Sequence, residues 1–366
     1  MPVYIDDIDH VEFYVGDAQQ TAYYMCTAFG FRLCGRAGPE TGLPDQRSLL
    51  LRHGGIAMVL TSGLARDHPA TEYVARHGDG VAKIAFRVAD ADLAAAEAAR
   101  RGCAVLREPV RFAAEDASVT IAEVGGFGEV THPLVARDGS GDQFLPGAME
   151  MLPANGEPDT GLLHTVDHVA VCLPAGTLDE TVHFYGRIFD LPEIFAEYVE
   201  VGRQAMASKV VQSRSKRATF TLIEPDTGRE PGQIDAFLRA HGGAGVQHLA
   251  FGAVDIATAV PALIDRGVRF LDTPSAYYDR LGARLGPTGV DIDVLRRYNI
   301  LVDRDHWGEL FQIFTRSMHV RGTYFMEIID RRGAETFGSG NIKALYEAVE
   351  RSDATPPRRV AVPGRG

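Results

Sequence analysis

The chain has 366 residues, 45% of them hydrophobic, which is enough to build two domains with full cores. A formal charge of −12 and a pI near 5.5, with no basic run interleaved with aromatics, argue against nucleic acid or an anionic membrane as a main partner. The acidic start MPVYIDDIDH does not read as a signal peptide, no run approaches the roughly 18 apolar residues of a membrane span, and Cys26, Cys34, Cys103 and Cys172 lack disulfide or zinc spacing, so a cytoplasmic protein with reduced thiols is expected.

In chain order, Ile8–Val15 reads as a strand and Asp17–Gly30 as a helix that carries Tyr23, Tyr24, Cys26 and Phe29 and ends at glycine. Strands are predicted at 47–51 and 56–60, then at Gly80–Val88, followed by an Ala-rich helix over Asp90–Arg101 and strands at 104–106, 118–124 and 130–136. This is a βαβββ unit used twice, and the whole order then recurs. Val166–Leu173 echoes Ile8–Val15 and puts His168 on His10; Gly245–Phe251 echoes Gly80–Phe86 and puts His248 on Lys83; Asp255–Arg266 repeats the Ala-rich helix. The fold class is therefore α+β with tandem βαβββ modules. The expected boundaries are 1–138 for the first domain, 139–161 for a linker, 162–351 for the second domain and 352–366 for a Pro-, Arg- and Gly-rich disordered tail.

Near the C-terminus, Leu310–Thr315 and Thr323–Ile329 have strand composition and read as an antiparallel pair. Period-two spacing groups Gln312 with Phe314, and Glu327 with Phe325 and Ile329. Glu327 is thus a charge on an apolar face. Either it faces water at an edge, or it needs a cation, a hydrogen-bond network or a metal. A glycine-rich run then precedes Asn341–Glu350, whose apolar residues have helical spacing, so a lid helix on a flexible connection is expected.

The duplication separates scaffold from special residues. Asp9-His10 is mirrored by Asp167-His168, so Asp-His by itself belongs to the fold, and Lys83 replaces the second histidine in the first half. No carboxylate stands near Pro133 or Leu134, where the counterpart of Glu327 belongs. His168, His248 and Glu327 remain as two histidines and one carboxylate on three separate strands, the facial triad that binds Fe(II) and leaves adjacent positions open. His241, His306 and His319 read as solvated loop residues, His183 as helix packing and Cys172 as core. No phosphate loop or Ser-His-Asp set is visible.

Gly245-Val-Gln-His-Leu-Ala, Pro274-Ser-Ala-Tyr-Tyr, Gln312-Ile-Phe-Thr, Phe325-Met-Glu-Ile-Ile and Phe337-Gly-Ser-Gly-Asn together resemble the 4-hydroxyphenylpyruvate dioxygenase family, over nearly the whole chain. The resemblance implies two open barrels of vicinal-oxygen-chelate (glyoxalase-like) type, with Fe(II) on His168, His248 and Glu327 in the second. It places substrate-pocket positions on Ser208, Thr221, Ile223, Gln233, Gln312, Phe314, Phe325, Asn341 and the lid residue Ile342. Gln312 is expected to orient substrate, with Phe314 and Phe325 as apolar walls beside the iron. The implied partners are 4-hydroxyphenylpyruvate and O2, and a homodimer is compatible with the pattern. Ile223 stands where homogentisate-forming members usually carry Asn, and Ile342 where they carry Phe. Both replacements match the branch that oxidises the benzylic carbon to 4-hydroxymandelate, which feeds hydroxyphenylglycine into peptide antibiotics. The alternatives are homogentisate formation, a non-catalytic binding protein of the same fold, and extradiol ring cleavage.

Overall fold

The computed structural model describes residues 3–114, 116–139, 143–153, 160–338, 340, 341 and 343. The first half holds β1 (Asp7–Tyr14), β2 (Arg32–Ala37), β3 (Gln46–His53), β4 (Ile56–Gly63), β5 (Gly80–Arg87), β6 (Val105–Ala114), β7 (Ala117–Gly125), β8 (Thr131–Gly139) and a short β9 (Glu150–Met151). The second holds β10 (Leu163–Cys172), β11 (Glu193–Val201), β12 (Gln204–Gln212), β13 (Thr219–Pro225), β14 (Gly245–Ala253), β15 (Leu301–Arg304), β16 (Glu309–Phe314) and β17 (Phe325–Arg332). Between them run α1 (Ala18–Phe29), α2 (Pro69–His77), α3 (Ala91–Arg100), α4 (Leu178–Phe189), α5 (Gln233–His241), α6 (Ile256–Asp265) and α7 (Ser275–Asp279).

Among the described residues the strands form two sheets, ordered β6-β7-β8-β5-β1-β4-β3-β2-β9 and β15-β16-β17-β14-β10-β13-β12-β11. Apart from β9 the two orders are identical when β1 is matched to β10, β2 to β11 and so on. Each half is two βαβββ units joined through an antiparallel central pair, β1 with β5 and β10 with β14. Local signals agree with this. Asp17 caps α1 by accepting from the Gln19 and Gln20 amides, and Gly30 ends it at φ 77. Asp90 and Asp255 cap the corresponding helices α3 and α6. Every residue of β14 is buried, because one face meets helices and the other lines the curled interior. The edge strand β6 is longer than the 104–106 expected; its residues are largely exposed and include Pro109, so it lacks the apolar run that marks a central strand.

One apolar core runs through both halves. Phe86 meets Phe189 and Phe220, Phe31 meets Phe251, and His132 stacks on Phe86 at 4.4 Å between ring centroids. His132 Nδ1 lies 2.9 Å from the Ile84 carbonyl, so that nitrogen donates, and Nε2 accepts from the Tyr185 hydroxyl at 2.9 Å. Burial pushes the His132 pKa down to about 4 despite the carbonyl partner. His241, expected in solvent, is instead buried at the end of α5, stacked on His77 and Phe237. His77 closes α2 in the same way, so the duplication brings the two helix ends together. His183, expected to pack, is exposed on α4. No helix among the described residues is long and apolar enough to cross a membrane. The tail 352–366, most of the lid helix and Ile342 lie outside the described residues.

Because His132 is neutral when folded and titrates near 6.5 when unfolded, the unfolded state binds the extra proton between pH 6.5 and about 4. Stability should therefore fall as pH drops through that window, by about 3 kcal/mol from this residue at roughly 1.4 kcal/mol per pH unit. Urea unfolding at a series of pH values checks this, and His132→Gln should bind about one proton fewer on unfolding in the window.

Candidate metal centre

His168, His248 and Glu327 come from the adjacent strands β10, β14 and β17. The register sets His168 opposite Ala250 and Ala170 opposite His248, and pairs Ala250 in turn with Glu327. The three donor atoms lie within 4.8 Å of one another, and all three residues are buried. Glu327 Oε2 is 3.4 Å from His168 Nε2 and 3.2 Å from His248 Nε2.

The other ring nitrogens are engaged elsewhere: His168 Nδ1 donates to Asp167 at 2.9 Å, and His248 Nδ1 lies 3.3 Å from the Gln247 side-chain oxygen. With Nδ1 protonated, both Nε2 lone pairs point at the space beside Glu327, the tautomer a metal needs. The electrostatics fit a cation. Burial opposes charge on both His168 and Glu327, but their attraction and hydrogen bonds outweigh it, raising His168 to about 9 and lowering Glu327 to about 2, so a proton on His168 Nε2 takes the cation's place and a divalent ion would displace it to reach the lone pair. Burial and the His168 charge together lower His248 despite Glu327. Two imidazoles and one buried carboxylate suit a divalent ion of Fe(II) type.

The site is held by neighbours that motif reading passed over. Arg331 grips Asp167 with two nitrogens, at 2.7 and 2.9 Å, and donates to the Thr336 carbonyl at 2.6 Å. Phe337 lies edge-on to His168 at 5.3 Å and under the Arg331 guanidinium at 4.8 Å. The first half builds the same cluster: Arg137 grips Asp9, Asp9 bonds His10, and Phe144 packs against both His10 and Arg137. Strand register puts Pro133 at the place of Glu327 and Lys83 at that of His248, so the first half retains the frame without the donor set. The Arg repeated within β8 and its counterpart β17 was the signal that could have revealed Arg331.

Of the expected pocket residues, Phe325 stacks on His248 at 4.9 Å and Phe314 lies edge-on to it at 6.0 Å. Phe314 and Ile223 pack with Cys172, Val201 and Met206 in one apolar cluster that Phe325 flanks. Ser208 pairs with Ile223 across β12 and β13, and Thr221 lies two residues before Ile223 on the same face. The buried Thr221 hydroxyl has no hydrogen-bond partner among the described residues, and a polar ligand group would satisfy it. Gln233 is half-buried at the start of α5. Gln312 and Asn341 are both buried and bonded to each other, and Gln312 also donates to Glu327.

The profile of the Glyoxalase/Bleomycin resistance protein/Dioxygenase superfamily matches residues 165–313, and a second profile of that superfamily matches residues 9–121. A probable 4-hydroxyphenylpyruvate dioxygenase 2 of Aspergillus fumigatus is 35% identical, over 96% of this chain and 95% of its own length. The 4-hydroxyphenylpyruvate dioxygenase of Dictyostelium discoideum is 33% identical, over 96% of this chain and 99% of its own. Among solved structures, a triple mutant of 4-hydroxymandelate synthase from Streptomyces coelicolor superposes with a TM-score of 0.86 at 46% identity, covering 96% of this chain and all of that one. Two duplicated halves, a buried His-His-Glu set in the second, and likeness along the whole length lead to one conclusion: the chain is an enzyme of the 4-hydroxyphenylpyruvate dioxygenase family, within the glyoxalase and dioxygenase superfamily.

Proposed function

We propose that the protein uses Fe(II) to convert 4-hydroxyphenylpyruvate and O2 into 4-hydroxymandelate and CO2. The observation that carries this reading is the end-to-end likeness to 4-hydroxymandelate synthase at 46% identity, in a chain whose buried triad is intact. The curated dioxygenases that match at 31% to 35% identity favour homogentisate formation as the second reading. Fe(II) held by His168 Nε2, His248 Nε2 and Glu327 Oε2 would offer open positions for a 2-oxo acid and O2 and supply the electrons that activate O2.

The chain's own residues do the positioning. Phe314 and Phe325 flank His248 and pack with Ile223 and Cys172 in one apolar cluster, which would wall the substrate ring and help exclude water. Thr221, whose hydroxyl has no hydrogen-bond partner among the described residues, would bond a polar group of the substrate, and Ser208 lies on the same strand-paired face. Gln233 and Asn341 complete the proposed substrate-binding set. Gln312 acts by holding Glu327. Ile223 presents no hydrogen bond to charge that develops on an aromatic ring during ring attack, so it disfavours that route and leaves the benzylic carbon as the reacting position. Ile342, proposed to act in the same sense from the lid, replaces a flat ring with a branched aliphatic group.

The purified protein should bind about one Fe(II) per chain, and His248→Ala or Glu327→Ala should abolish both iron binding and turnover. Full iron stoichiometry in His248→Ala, measured by elemental analysis, would overturn the site.

Product choice is the second test. A relative barrier change of about 1.4 kcal/mol alters a product ratio tenfold, so two residues suffice to bias it. With 4-hydroxyphenylpyruvate, Fe(II) and air, chromatography of wild type should show mainly 4-hydroxymandelate, and the double variant Ile223→Asn, Ile342→Phe should raise the homogentisate-type share. Homogentisate as the main wild-type product would favour the second reading. Turnover of the double variant with an unchanged product ratio would remove these two residues as the switch.

A further inference from the structure

Glu327 divides its two oxygens: Oε2 faces both histidines, while Oε1 accepts from Gln312 Nε2 at 2.7 Å. From there a continuous chain of hydrogen-bonded groups, buried at Gln312 and Asn341 and half-buried at Tyr277, leads away from the centre. Asn341 Nδ2 donates to Gln312 Oε1 at 2.8 Å, and the Tyr277 hydroxyl, on α7, lies 3.0 Å from Asn341 Oδ1.

The proton sense of this chain is set from Glu327 outward as far as Asn341. An ionised carboxylate only accepts, so Gln312 must turn its amide nitrogen to Glu327 and its oxygen to Asn341. Asn341 must then donate to Gln312 and offer its own oxygen to Tyr277, which leaves the phenol as donor. A phenol has one proton, and the Val302 carbonyl also lies 2.8 Å from it. That carbonyl, however, already accepts from Arg284 Nη2 at 2.6 Å, while the Val302 amide donates to the phenol oxygen at 2.9 Å. That carbonyl keeps a second lone pair, so the one phenol proton is divided between the Val302 and Asn341 oxygens.

Two further features tie the chain to the segment after β17. Gly338 has φ +67, and a Cβ there would stand 2.9 Å from Gln312 Oε1, so glycine lets the backbone approach the amide. The Gly340 amide donates to Asp303 Oδ2 at 3.0 Å, which holds the backbone beside Asn341. The first half has no such chain: register places Ile121 where Gln312 stands and Pro133 where Glu327 stands.

We propose that Tyr277 is a positioning residue for the metal-binding carboxylate, acting through Asn341 and Gln312, so that presentation of Glu327 and order of the segment around Gly340 and Asn341 are one coupled equilibrium. This rests on Glu327 being a metal donor. Coupling is reciprocal: a metal that fixes Glu327 must also order the segment, and loosening the segment must weaken the metal.

The test uses Co(II) as a spectroscopic probe on the full chain, with amide exchange at Glu335, Thr336, Gly340 and Asn341 followed with and without Co(II). In wild type, Co(II) should slow exchange at Gly340 and Asn341. Tyr277→Phe should weaken Co(II) on the order of tenfold, the range for partners behind a metal ligand, and abolish that metal-dependent protection. Asn341→Asp keeps the shape but cannot donate to Gln312, so it should do the same, and it provides a second reading if Tyr277→Phe fails to fold. A purely structural role for Tyr277 would speed exchange equally with and without Co(II) and leave affinity within twofold, which overturns the proposal. Co(II) affinity unchanged in Glu327→Ala would instead remove the carboxylate from the site, and the proposal with it.

Discussion

A carboxylate only 1% exposed, in the middle of a central strand, is the constraint around which the second half is arranged. Glu327 cannot stay charged there without compensation. The compensation comes from three directions: imidazoles from β10 and β14, the Gln312 amide from β16, and the room for a divalent cation between them. Once Oε1 belongs to Gln312 and Oε2 to the histidines, the orientation of the carboxylate leaves little freedom. The strand order β10-β14-β17-β16 is what allows all four side chains to converge.

The first half shows what the same frame does without that charge. Its Asp9–Arg137–Phe144–His10 cluster reproduces Asp167–Arg331–Phe337–His168 contact for contact, so this cluster is a property of the fold and not of a metal. Where the second half carries His248, Lys83 lies half-buried between Glu12 and Glu123, at 3.5 and 3.4 Å. Burial opposes the ammonium charge there, but the two carboxylates and Tyr14 outweigh it and hold the lysine protonated. One half thus balances its interior charge with side chains alone, and the other with a donor set that accepts an external cation.

The segment after β17 is tied into this arrangement at both ends of the centre. Arg331 holds the Thr336 carbonyl and the Asp167 carboxylate at once, and Asn341 meets Gln312 on the opposite side. Its backbone is also held at Asp305, which accepts from the amides of Glu335 and Thr336 at 2.8 Å each. The glycines of this run, expected to provide flexibility, also serve close approach, as the contact of Gly338 with Gln312 demonstrates.

The sequence alone determined the duplication, the βαβββ order and the three donor residues, because repeated strand patterns align residue against residue and expose the positions where the halves differ. His248 against Lys83, and Glu327 against a residue without charge, were legible for that reason. Side-chain partnership was not. Asp167 read as scaffold, as the matching Asp9–Arg137 pair bears out, but its partner Arg331 was not legible, and His241 looked solvated until α2 and α5 brought it onto His77. Tyr277, some sixty residues from Asn341 in the chain, lay in a motif that carries the family resemblance, but nothing in that motif pointed to Asn341. Only the tertiary structure decided these, because a hydrogen bond depends on which groups the sheet and its connections bring within about 3 Å, and strand periodicity specifies the face a residue occupies but not what meets it there.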